Sequence, residues 1–136
     1  MDRVYRLYRR MHTSRSRVIR KVVHGYLRAV YACDIMPDTR IGEGTRFPHN
    51  GLGVVVHPSA VIGERCTICQ SVTIGGTGEE AVPRLANDVL IGANSVVLGG
   101  ITIGDFARIR AGSVVIQDVP AHTVAVDDSA RVLNVE

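Results

Sequence analysis

The chain has 136 residues, 46% apolar and 21% charged, a globular composition with room for one main domain. No apolar run approaches the roughly 18–20 residues that cross a membrane, and Met1 opens onto arginines rather than a secretory core, so a cytosolic chain is expected. The net charge of +3 divides unevenly, with +8 on residues 1–33 and −5 on residues 34–136, which predicts a basic preface joined to an acidic body.

The preface reads as helix. Val4, Leu7, Tyr8 and Met11 recur at helical spacing between arginines, and Thr13-Ser14 offers a break and an N-cap. A second run follows with Val18, Ile19, Val22, Val23, Tyr26, Leu27, Val30 and Tyr31 on one face. Packing of this stripe on the body or on a neighbouring subunit is the first expectation. Peripheral contact with an anionic inner-membrane face is the alternative for so basic an amphipathic segment, and no nucleic acid is expected as a partner, since no recognition motif accompanies the charge.

From Ile35 the period changes to six. Ile35, Ile41 and Phe47 begin it; after a three-residue slip come Val56, Ile62, Ile68 and Ile74. An eleven-residue gap then precedes Leu85, Ile91, Val97, Ile103, Ile109 and Val115. Four residues after most of these sits a small or apolar partner, among them Ala60, Cys66, Val72, Val89, Ser95, Ile101, Ala107, Ser113 and Val119. Glycine follows the aliphatic at Gly42, Gly63, Gly75, Gly92 and Gly104, where it is expected to relieve backbone strain. A hexapeptide pattern of this kind predicts a parallel β-helix over residues 34–136, mainly β, with three units closing one 18-residue coil. Val56–Thr73, Leu85–Thr102 and Ile103–Pro120 are the expected coils.

Two segments break the repeat: Phe47–Val56, with Pro48-His49-Asn50-Gly51, and Ile74–Leu85, with Gly75-Gly76-Thr77-Gly78. Loops leaving a rigid scaffold commonly carry function. His49 is the candidate acid–base residue. Asp34 lies fifteen residues earlier, nearly one coil, so the two are expected to be neighbours, with the carboxylate orienting the imidazole. His57 and His122 read as structural corner histidines, and His12 and His24 carry no specific signal. Cys66-x-x-Cys69 lacks a second pair or nearby His to complete a zinc site. His49 and His57 are eight apart, which misses the H-x-x-x-x-H spacing of γ-class carbonic anhydrases, so no metal is expected.

The sequence resembles the serine O-acetyltransferase-like branch of the hexapeptide-repeat acyltransferases. The resemblance is carried by Asp34-Ile35-Met36-Pro37, Pro48-His49, Gln70 to Gly78, Ile91-Gly92-Ala93-Asn94 and Ile109 to Val115. It implies a left-handed β-helix and transfer of an acetyl group from acetyl-CoA by direct attack, with His49 as base and Asp34 as its partner. It further implies Gly76 and Thr77 along the acetyl-CoA arm, Ala93 and Ala111 beside the pantetheine, and Arg84 and Arg108 near the phosphates. A homotrimer with CoA sites between subunits follows from the same likeness.

Serine acetyltransferases carry Asp where this chain has Pro48, and a second His where it has Val82 before Pro83-Arg84; their long loop is also longer. Together with the short basic preface, these departures favour a carbohydrate hydroxyl as acceptor, in the manner of small enzymes of surface-polysaccharide assembly. Serine O-acetyltransferase of cysteine biosynthesis and a non-catalytic β-helical scaffold are the two alternatives.

Overall fold

The computed structural model describes residues 2–78 and 80–127. Residues 128–136, the end of the expected β-helical span, lie outside the described residues. The preface folds as α1 (Arg3–Thr13) and α2 (Arg17–Tyr31). Asp2 starts α1 by accepting the Tyr5 N–H through Oδ1, and its Oδ2 accepts the Phe47 N–H at 2.7 Å, tying the helix start to the first coil. Val4, Tyr5, Tyr8 and Met11 are buried and form one core with the body; Tyr5 takes the place expected for Leu7, which is half-buried. The Tyr8 hydroxyl donates to the Thr39 carbonyl at 2.5 Å, so its one polar atom is satisfied inside the apolar contact.

The cap of α2 is Ser16 rather than the expected Thr13-Ser14 break, its hydroxyl accepting the Ile19 N–H. The stripe on α2 divides. Leu27 is buried and Val23 and Tyr31 are half-buried, whereas Val18 is 70% and Val22 64% exposed, with Ile19, Tyr26 and Val30 also open. Within one chain, then, only an edge of the expected stripe packs on the body. An Arg20–Asp38 ion pair fastens the helix to the loop after the first strand.

Thirteen strands follow among the described residues. They are β1 (Asp34–Ile35), β2 (Arg40–Ile41), β3 (Val55–Val56), β4 (Val61–Ile62), β5 (Thr67–Ile68), β6 (Thr73–Gly75), β7 (Arg84–Leu85), β8 (Leu90–Ile91), β9 (Val96–Leu98), β10 (Thr102–Ile103), β11 (Arg108–Ile109), β12 (Val114–Val115) and β13 (Val124–Ala125). They form three parallel sheets, β1-β3-β6-β9-β12, β2-β4-β7-β10 and β5-β8-β11-β13, the three faces of a parallel β-helix. Regular coils advance 18 residues, as from Val55 to Thr73 and from Val96 to Val114. Asp34 to Val55 takes 21 and Thr73 to Val96 takes 23, so the two irregular segments add three and five residues without breaking the register.

All the aliphatic positions of the six-residue repeat from Ile35 to Val115 are buried, and so are their small partners from Ala60 to Val119. Each large aliphatic side chain taken from water contributes about 1.5–3 kcal/mol, which makes this inner column the main source of stability. The glycines work differently from the expectation. Gly42, Gly63, Gly92 and Gly104 do not have positive φ; left-handed backbone falls instead on Arg65, Asp88, Asn94 and Phe106. Gly63 is required by stacking: a Cβ there would lie 2.4 Å from the Ala86 carbonyl oxygen of the next coil. The constraint is clearance between layers rather than relief of strain.

Candidate functional site

The β1-β3-β6 face carries a candidate groove that includes Asp34 and does not include His49. Side chains alternate along a strand, so Asp34, Val55 and Thr73 point outward in register while Ile35, Val56 and Ile74 point into the core. At the end of these strands the chain turns through Met36, His57-Pro58 and Gly75-Gly76. These residues with Asp34 and Thr73 line a groove of about 440 Å³.

Asp34 opens β1 with its backbone N–H donating to the Val54 carbonyl at 2.8 Å. Its side chain is 36% exposed, and Oδ1 accepts from Nε2 of His24 at 2.8 Å. The carboxylate found its imidazole partner on α2, on the face that also carries the buried Leu27. His49 sits in a short 3₁₀ turn, Pro48–Gly51, with φ 56°, and its side chain is exposed. That turn is pinned by Gly51 N–H to Phe47 O and Gly53 N–H to Tyr31 O. Gly51 has φ +62°, and a Cβ there would come within 3.3 Å of the Cys33 sulfur, so the turn rests on the residue that precedes Asp34. The expected Asp34–His49 hydrogen bond is not formed; His24 holds Oδ1, and among the described residues Oδ2 has no side-chain partner.

Gly76 and Thr77 follow β6, and the Thr77 N–H donates to the Ala81 carbonyl at 3.0 Å, closing the loop on itself. Ala93 and Ala111 stack one coil apart at the corner leading into β9 and β12, with the Gly112 N–H donating to the Ala93 carbonyl. Gly76 and Thr77, the residues expected along the acetyl-CoA arm, thus lie beyond one edge of the β6-β9-β12 face and the two alanines beyond the other. Arg84 extends from β7 and Arg108 from β11, on the two remaining faces, and both are exposed. One chain does not gather these six residues into a single pocket.

Two histidines that the sequence left idle are part of this region. His24 shares the inward face of α2 with Leu27 and Tyr31, a spacing visible in the sequence once the docking face is known. His57 occupies the repeat position after β3, and only the groove reveals its placement. Beneath the site, burial pushes the Cys33 thiol up to about 12, with Asp34 and Asp2 adding to the shift.

The bacterial transferase hexapeptide (six repeats) family matches residues 83–117. A serine acetyltransferase of Synechococcus elongatus is 40% identical over 126 residues, which cover 90% of this chain and 51% of that protein. A serine acetyltransferase of Helicobacter pylori is 37% identical over 132 residues, 95% of this chain and 77% of the relative. Among solved structures, soybean serine acetyltransferase complexed with serine overlays with a TM-score of 0.82 at 41% identity, covering 96% of this chain and 56% of that one. The chain therefore spans about half the length of several relatives it matches. These likenesses overturn the expected carbohydrate acceptor and the polysaccharide-assembly type, since relatives matched over nearly the whole chain are named for serine. Pro48 and Val82 are departures within that group, not marks of another one. The chain belongs to the serine acetyltransferase family of hexapeptide-repeat transferases.

Proposed function

We propose that the protein is an acetyl-CoA-dependent serine O-acetyltransferase. The observation that carries this reading is the Helicobacter pylori relative, matched over 95% of this chain and 77% of its own length. The proposed chemistry draws on the local geometry. His49 presents an exposed imidazole from a pinned turn, suited to take the proton of the serine hydroxyl as that oxygen attacks the thioester carbonyl. Cys33, the residue before Asp34, lies against this turn, and with Oδ1 engaged by His24 the Oδ2 of Asp34 is the proposed partner that orients the His49 ring or the imidazolium that forms on it. Backbone N–H groups of the Gly75-Gly76 segment are the proposed donors to the developing oxyanion. No covalent acyl-enzyme is needed.

The assembly is proposed to be a homotrimer with acetyl-CoA between subunits. What supports this is the separation just described: Gly76 and Thr77 lie on one side of a sheet, Ala93 and Ala111 on the other. A channel bordered by both sets needs two copies.

The test is CoA release followed with a thiol reagent in the presence of acetyl-CoA and L-serine. Serine-dependent release is expected, and His49→Ala lowers turnover by about 10²-fold or more while acetyl-CoA binding measured by calorimetry persists. Binding of acetyl-CoA without any serine-dependent release would remove serine as the acceptor.

A further inference from the structure

Of the groove's side chains that the chemistry above leaves unused, His57 and Thr73 are the polar ones, and His57 alone carries a ring nitrogen. His57 is fixed on both sides: its N–H donates to the Ile74 carbonyl at 2.8 Å, and its carbonyl accepts the Ala60 N–H at 3.0 Å. Its ring is fixed as well, because Nδ1 accepts the Ser59 backbone N–H at 3.1 Å. An amide N–H can only donate, so Nδ1 carries the lone pair and the proton of the neutral imidazole sits on Nε2. The ring is thereby a donor through Nε2 and not a base.

Asp34 and His57 stand apart on the same face. Asp34 pairs with Val55, two residues before His57, so the two are one coil and two residues apart. That is about 8 Å between Cα atoms from standard strand dimensions, enough for a small molecule between the side-chain tips. The lining of the groove includes no lysine or arginine, and His57 is the one lining side chain that offers an N–H. A carboxylate entering the groove is repelled by Asp34 at one end and finds its donor at the other. The neighbouring Gly75 brings no side chain of its own to the groove, and Leu98 Cδ2 of the next coil lies 2.9 Å from where its Cβ would stand.

We propose that His57 Nε2–H binds the carboxylate of the amino-acid acceptor, and that this contact makes the site selective for an acceptor carrying that carboxylate. The proposal rests on the serine acetyltransferase reading and deepens it. It assigns the acceptor's anionic end to a residue of β3's terminal corner.

The experiment is steady-state kinetics of the full chain, His57→Ala and His57→Gln with L-serine and with L-serinamide, which keeps the hydroxyl and loses the carboxylate. Melting temperatures are measured in parallel. His57→Ala is expected to raise KM for L-serine about tenfold to a hundredfold, the range for losing a hydrogen bond to a charged group, with kcat within about twofold. KM for L-serinamide should stay near the wild-type value, and His57→Gln, which retains an N–H, should recover part of the L-serine affinity. Equal KM increases for both acceptors, a fall in kcat alone, or wild-type kinetics in a folded variant would each overturn the assignment. Should His57→Ala fail to fold, the Gln variant decides alone: a KM rise for L-serine that exceeds the rise for L-serinamide supports the contact, and equal rises or wild-type kinetics overturn it. A wild-type enzyme that ignores L-serine removes the serine reading itself and the proposal with it.

Discussion

His24 and Asp34 show how a single side chain can be claimed from an unexpected direction. The coil arithmetic brings His49 near Asp34 and the structure does place its turn against Cys33, yet the hydrogen bond to Asp34 reaches from α2. Cysteine reactivity reports on the same layer. Burial raises the thiols of Cys33, Cys66 and Cys69, but only Cys69 is partly open to solvent. Native protein treated with iodoacetamide near pH 8 should be labelled at Cys69 first, with Cys33 and Cys66 modified only after denaturant is added, as read by peptide mass spectrometry. Labelling of Cys33 at the rate of Cys69 would show that the α1–coil contact opens in the native state. At this scale the sequence was least informative. Whether His24 or His57 faces a groove depends on how a helix docks and where a corner ends, and neither is encoded in spacing along one element.

Elements were far more legible, because a six-residue period leaves little freedom. The inward column, the small partners and the two insertions were all readable from Ile35 to Val119, and the strands pair as that phase requires. The role of glycine was not readable, since sequence shows where Gly63 stands and not that the Ala86 carbonyl passes above it. Gly63→Ala should therefore destabilise the protein by about 1–3 kcal/mol or more through overpacking. Gly25→Ala, within α2 and with nothing within 4 Å of its added carbon, should stabilise by about 0.5–1 kcal/mol. Urea midpoints compare the two; a neutral Gly63→Ala would mean the coils can part at that corner. Left-handed backbone at Arg65 and Asp88 also escaped the reading. There the Arg65 guanidinium grips both oxygens of Asp88 at 2.9 Å and holds that carboxyl below its ordinary range.

For the whole molecule, the expected assembly gives a direct measurement. Light scattering should return about three times the 14.7 kDa chain mass, and dilution to monomer should abolish acetyl-CoA binding together with turnover. A monomer that binds acetyl-CoA fully would contradict a channel shared between copies. The residues proposed to act on serine, Asp34, His49 and His57, lie between the end of α2 and the start of β4, and His24, which holds Asp34, lies on α2; β8 to β13 bear none of them. Tyr5, Tyr8 and Leu27 seal α1 and α2 onto that same end. The proposed acceptor chemistry is thus anchored to the capped end of the spindle: adding a rung at the far end would alter the surface proposed to meet the neighbouring copy and the coenzyme without moving any group proposed to touch the amino acid.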